Sequence, residues 1–220
     1  MPSLLSISVL LTTLLIPFIS PIQATKSPPQ AIMSSKTSNT TIYFGYGSNL
    51  WLHQMALRCP HSEYLGVARL DNYKWIINDR GYANVVEVPA TNDTKTEATN
   101  SSQYAHAVFG LVYSLTPPDE RRLDKNEGVP IAYTKELISC KFWAAHHGKP
   151  VNVSAPPTET RDMLVYIDRE RVEPSKPKAE YIVRMNHGIE DALTKGVPAE
   201  YVDKIMREFI PKEGGEGLEE

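Results

Sequence analysis

Apolar and polar positions alternate with period two through most of the middle of the chain and with helical spacing toward its end, an order that predicts strands first and helices mostly last. The run "TIYFGY" at 41–46 predicts a first strand, and Ser48 or Asn49 then opens a short helix ending at Arg58. One strand is expected across "GVARLDNYKWIIN" (66–78), another across "YANVVEV" (82–88) and a strongly apolar one across "AHAVFGLVYSL" (105–115). Between the last two, "PATNDTKTEATNSSQY" (89–104) reads as a polar loop.

The segment "TPPDERRLDKNEG" carries the marks of a helix. Thr116 stands as N-cap, prolines fill the first positions, Asp119 and Glu120 lie in the first turn, and Gly128 follows the end. Strands are expected at "YTKELISCKFWAA" (133–145) and "DMLVYIDR" (162–169), then helices at about 179–195 and 198–210. In the last of these, Tyr201, Val202, Ile205, Met206 and Phe209 recur at helical spacing and form a core-facing stripe. The sum is an α+β domain, its sheet closed into a small barrel with helices around it.

With 220 residues, 41% of them hydrophobic, the chain suffices for one domain with a sizeable core. Its net charge of -3 and lack of a basic stripe set nucleic acid aside as a partner. The first 24 residues, apolar from Leu4 to Ile19, read as a cleaved signal peptide. The run is too short for the about 20 residues of a membrane span, so no stable membrane insertion is expected. Residues 25–40 read as a disordered linker, 41–211 as the folded domain and 212–220 as a solvated tail. Sequons at Asn39, Asn92, Asn100 and Asn152 fit glycosylation in the secretory pathway, the expected location, with the cytoplasm as the alternative. Cys59 and Cys140 are compatible with one disulfide or with two buried thiols, with a slight lean to the bond.

The six histidines show no metal-ligand spacing, and His146-His147 before Gly148 reads as a hairpin turn, so no metal is expected. Nucleophile elbows and phosphate-binding loops are absent from the sequence. Two features remain. "YFGYGSNL" places a glycine between a strand and a helix start, where consecutive backbone N–H groups can converge on a carboxylate or oxyanion. The same residues also suit an ordinary turn and N-cap. Glu127, one residue before the glycine that ends its helix, sits at the negative end of the helix dipole. If it is also partly buried, both effects favour its protonated form, as suits a group that takes and returns a proton. A solvated helix end is the other reading of "DKNEG".

Together these residues resemble the γ-glutamylcyclotransferase family. The resemblance runs from about Thr41 to Pro211, through "YGSNL" (46–50), "VARLDNYK" (67–74), "LDKNEGV" (123–129) and "GVPAEYVDKI" (196–205). It implies a small mixed β-barrel flanked by helices that releases 5-oxoproline from a small-molecule γ-glutamyl substrate without metal or cofactor, and it leaves a homodimer open. By position it implies Glu127 as the catalytic residue, Tyr46, Gly47, Ser48, Asn49 and Leu50 as the substrate-binding loop, and Tyr133, Tyr166 and Tyr181 as tyrosines lining the pocket. "GVPIAY" is slightly shorter than the family's stretch, and the leader departs from its usual cytosolic form. A γ-glutamylamine or glutathione-adduct cyclotransferase of secondary metabolism, and a secreted carboxylate-binding module without catalysis, are the competing readings.

Overall fold

The computed structural model describes residues 40–89 and 103–212. The expected leader, most of the linker and of the 89–104 loop, almost all of the tail, and the sequons at Asn39, Asn92 and Asn100 lie outside them; Asn152 is described and exposed. Five strands close a barrel in the order β1-β5-β2-β6-β7: β1 is Thr41–Gly45, β2 Glu63–Asp71, β5 Ala107–Leu115, β6 Thr134–Ala144 and β7 Glu159–Ile167. All neighbours are antiparallel except β1 and β7, whose parallel pairing at Tyr43 and Leu164 closes the ring and makes the barrel mixed. Closure removes the edges that an open sheet of these apolar strands would expose.

The expected strand at 66–78 is two strands. Asn72 adopts φ 64°, a left-handed conformation that Asn tolerates, and its N–H donates to His106 O at 2.9 Å. Downstream, β3 (Tyr73–Ile77) leaves the barrel and pairs with β4 (Ala83–Glu87) in a separate two-stranded sheet. Trp75 of β3 reaches back, its indole Nε1 donating to Tyr46 O at 3.0 Å.

The helices are α1 (Leu52–Arg58), α2 (Pro117–Asn126), α3 (Ala179–Lys195) and α4 (Ala199–Lys204). α2 begins as the sequence dictates, with Thr116 Oγ1 accepting from the Asp119 N–H and prolines in the first turn. α4 is shorter than expected: at Ile205 the chain tightens into a 3₁₀ turn, Met206–Glu208, which still buries Met206 and Ile210 beside Tyr201 and Val202. The Ser48–Arg58 helix is also interrupted. Ser48–Leu50 form one 3₁₀ turn, Trp51 is extended with its ring stacked on His187 at 4.7 Å, and the α-helix starts at Leu52, whose N–H donates to Asp191 Oδ2 at 2.8 Å. His146 and Lys149 bridge across a turn at Gly148, the expected hairpin.

Cys59 and Cys140 are both buried free thiols, against the lean toward a bond. Each sulfur has its own backbone carbonyl, Asp119 O and Ile138 O respectively, and burial pushes both thiols up to about 12. No helix among the described residues is long and apolar enough to cross a membrane.

Gly110, in the middle of β5, marks a tight point of the barrel wall. A Cβ there would lie 2.5 Å from Gly45 O and 2.7 Å from the Phe44 ring. Gly110→Ala should therefore lower stability by about 1–3 kcal/mol through overpacking, read as a lower urea midpoint with an unchanged m-value.

Candidate active site

The elements that converge at one site come from distant parts of the sequence. β1 brings Tyr43; the loop after it, Tyr46, Gly47, Ser48 and Asn49; the last residue of α1, Arg58; and the C-cap of α2, Glu127. The β3–β4 turn contributes Arg80 and Tyr82, the approach to β6 gives Tyr133, β7 gives Tyr166, and the first turns of α3 give Tyr181 and Arg184. They line a cavity of about 220 Å³, below the roughly 300–1,000 Å³ of pockets that enclose drug-sized ligands.

Asn49 organises it. The side-chain amide uses both its protons and both its lone pairs: Nδ2 donates to Glu127 Oε1 at 2.9 Å and to Tyr43 Oη at 2.8 Å, while Oδ1 accepts from Arg58 Nη1 at 2.8 Å and from Gln54 Nε2 at 3.0 Å. Its backbone carbonyl accepts from Tyr113 Oη at 2.9 Å. Gln54 continues the network, donating to Ser48 Oγ at 3.0 Å and accepting from Arg184 Nη1 at 3.4 Å.

Glu127 ends α2 with φ -82° and ψ -6°, its N–H bonded to Leu123 O at 2.8 Å; Gly128 at φ 66° then turns the chain away. Its side chain is 16% exposed and lies 3.6 Å from Arg58. Burial raises its proton affinity above the ordinary glutamate range, and Arg58, the Asn49 hydrogen bond, Arg184 and Arg80 offset only part of that rise. The solvated-end reading of "DKNEG" does not describe this carboxylate.

The expected backbone cradle is partly occupied. The Ser48 N–H donates to Tyr181 Oη at 3.1 Å, the Leu50 N–H closes the turn on Gly47 O at 2.9 Å, and the turn after the loop is 3₁₀ rather than the start of an α-helix. A Cβ on Gly47 would stand 2.8 Å from Tyr181 Oη, so the close approach that the glycine permits is to that hydroxyl. Of the expected site residues, Tyr46, Gly47, Ser48, Asn49, Glu127, Tyr133, Tyr166 and Tyr181 line the cavity; Leu50 does not, its side chain lying fully buried in the core.

Sequence reasoning missed Tyr43, Arg58, Arg80, Tyr82, Asn126 and Arg184. Arg58 had a signal available, as a basic residue in the last turn of the helix that follows the YGSNL motif; Arg80, Tyr82 and Arg184 had none in their own neighbours. Among the described residues no cluster of three or more His, Cys, Asp or Glu could hold a metal ion.

A closed mixed barrel with one hydrogen-bonded acid in a tyrosine- and arginine-lined pocket makes proton transfer a chemistry this arrangement can support. No protein-family model matches the chain. In sequence it is similar to the gamma-glutamylcyclotransferase of Bos taurus, 25% identical over 192 residues, covering 80% of this chain and 92% of that protein. Two solved structures, one described as gamma-glutamyl cyclotransferase and the other as an uncharacterized protein from Homo sapiens, each superpose with a TM-score of 0.55 at 21% identity, covering 81% of this chain and 92% of theirs, and share its fold. By sequence and by fold the chain resembles the γ-glutamylcyclotransferase family.

The raised affinity of Glu127 for its proton has a consequence for stability. The folded state binds that proton more tightly than the unfolded chain, so the contribution is fully present below the ordinary glutamate range and is lost as pH rises through the folded value. Glu127→Gln, which cannot ionise, should gain stability relative to the parent as pH rises from 4 to 8, measured by urea unfolding at each pH.

Proposed function

We propose that this protein is a γ-glutamylcyclotransferase, which closes the γ-glutamyl group of its substrate on itself and releases 5-oxoproline and the amine. The observation that carries this reading is the Glu127 carboxylate, held by Asn49 and Arg58 in the cavity with its proton affinity raised. Similarity to the Bos taurus protein of that name supports it.

Cyclisation needs a neutral α-amine. Glu127 takes a proton from the substrate's α-ammonium, and the freed nitrogen attacks the γ-carbonyl carbon, whose π electrons move onto oxygen. The carbonyl then re-forms and the bond to the leaving nitrogen breaks as Glu127 returns the proton to it; the ring nitrogen gives up its second proton to Glu127, which passes it to the freed amine, so one carboxylate serves as base and then as acid. No covalent bond to the enzyme forms. Ring closure is intramolecular with or without the protein, so what the pocket adds is to hold the glutamyl chain in its folded conformer, a side-chain entropy of about 1.5–2 kcal/mol. The cavity suits the glutamyl group, with the leaving part extending toward the mouth.

Arg58, Arg80 and Arg184 face one glutamate across this lining. Arg184 is also paired with Glu180 at 2.9 Å and Arg80 lies 3.9 Å from Asp168, and the remaining positive field suits the α-carboxylate that every γ-glutamyl substrate carries. It also favours a carboxylate ligand in the competing non-catalytic reading, against which Glu127 speaks: an acid among anion-binding arginines hinders carboxylate binding unless it moves protons.

Purified protein incubated with γ-glutamyl amino acids, glutathione and γ-glutamyl-lysine should release 5-oxoproline from at least one of them. Glu127→Gln should keep the fold and lose at least about 10²-fold in turnover; a near wild-type rate in that variant would sink the assignment. Because Arg58 lowers the proton affinity of Glu127, Arg58→Gln should move the acid limb of kcat/KM to higher pH.

A further inference from the structure

The pocket tyrosines divide by where their protons go. Tyr46 Oη donates to Tyr166 O at 2.6 Å, Tyr133 Oη to Ala83 O at 2.9 Å, and Tyr166 Oη to Asp124 Oδ1 at 2.7 Å. Those three hydroxyls, and that of Tyr82, which donates to Glu180 Oε1 at 3.2 Å, are committed to protein acceptors. Tyr43 and Tyr181 only accept, and their protons have no acceptor among the described residues.

The two differ in what they accept. Tyr43 Oη receives the Asn49 amide that also holds Glu127, so it belongs to the cluster around the base. Tyr181 Oη receives two backbone N–H groups, from Ser48 at 3.1 Å and Ala83 at 3.3 Å, and the Arg184 guanidinium lies 5.0 Å from its ring centroid. Two donors and a cation draw electron density from the phenol oxygen and polarise its remaining O–H bond. Burial pushes this phenol up to about 12, with the two N–H groups pulling against it, while Tyr43, Tyr46 and Tyr133 are raised well above the ordinary value.

We infer that Tyr181 is a catalytic residue: fixed by the Ser48 and Ala83 N–H groups, its hydroxyl donates a hydrogen bond to the oxygen that becomes negative as the α-amine attacks the γ-carbonyl carbon. The inference rests on the cyclotransferase reading. It relocates the oxyanion donor from the Gly47–Leu50 backbone to the phenol which that backbone holds. No proton is transferred in this step; the hydrogen bond strengthens as charge develops on oxygen and relaxes when the carbonyl re-forms and the leaving nitrogen takes its proton from Glu127. Such a donor acts mainly on the transition state, where charge is present, and little on ground-state binding.

A second role for the same contact has the opposite signature. If the hydroxyl merely fills the cradle until substrate displaces it, removing it frees the Ser48 N–H for substrate. Tyr181→Phe decides between them. The expected result is a loss of about 10²-fold or more in kcat with KM within about threefold, and binding of 5-oxoproline by calorimetry within the same factor. A variant that turns over at the wild-type rate or faster, that changes KM alone, or that loses 5-oxoproline binding and its melting transition together with turnover overturns the inference. Wild-type protein that releases no 5-oxoproline from any of the γ-glutamyl substrates overturns the cyclotransferase reading and this inference with it, whereas active wild type beside an equally active Tyr181→Phe overturns the inference alone.

Discussion

One buried amide fixes the geometry of the site. Asn49 has two protons and two lone-pair directions, and each is matched: to the acid, to a tyrosine, to an arginine and to a glutamine. A fully satisfied amide cannot rotate by half a turn without presenting donors to donors, so its orientation is set, and with it the rotamer of Glu127. The Tyr113 hydroxyl that holds the Asn49 carbonyl comes from β5, within the barrel wall. The rigidity of the closed sheet thus reaches the carboxylate through only two hydrogen bonds.

That arrangement reconciles two opposing requirements. An ionised glutamate with 16% of its side chain exposed costs free energy, and a full salt bridge would remove the cost by making the group too weak a base. Arg58 stands at 3.6 Å from Glu127 but at 2.8 Å from Asn49 Oδ1. Its hydrogen bond goes to the amide, and the acid receives only its field. The carboxylate is therefore partly compensated and keeps a raised proton affinity.

The parts legible in the sequence are those written locally. α2, with Thr116, its prolines and Gly128, is fixed within a dozen residues, and the position of Glu127 at its C-cap follows from the same signals. Barrel closure was foreshadowed by the run of apolar strands, and the interruption at Asn72 was not, because a left-handed Asn looks like any strand residue until His106 supplies its partner. Leu50 was assigned to the binding loop by its place in the motif, yet a 3₁₀ turn sends consecutive side chains to different sides, leaving Asn49 in the pocket and Leu50 in the core. Arg80 and Arg184 enter the site from a turn and a helix whose own neighbours in sequence say nothing of it.

The pairing of Ser48 with Tyr181 spans 133 residues, and it changes what the glycine loop means. A loop built to offer bare N–H groups to a ligand leaves them solvated until the ligand arrives, with the attendant cost of desolvation on binding. Here the Ser48 N–H is already desolvated and bonded, together with that of Ala83 from the two-stranded sheet, to one phenol oxygen. Gly47 is needed because any side chain would collide with that oxygen. The two-stranded sheet that leaves the barrel at Asn72 consequently does more than cover the core: by delivering the Ala83 N–H it sets where the Tyr181 hydroxyl can sit, and hence where a partial positive charge waits in the pocket before any substrate enters.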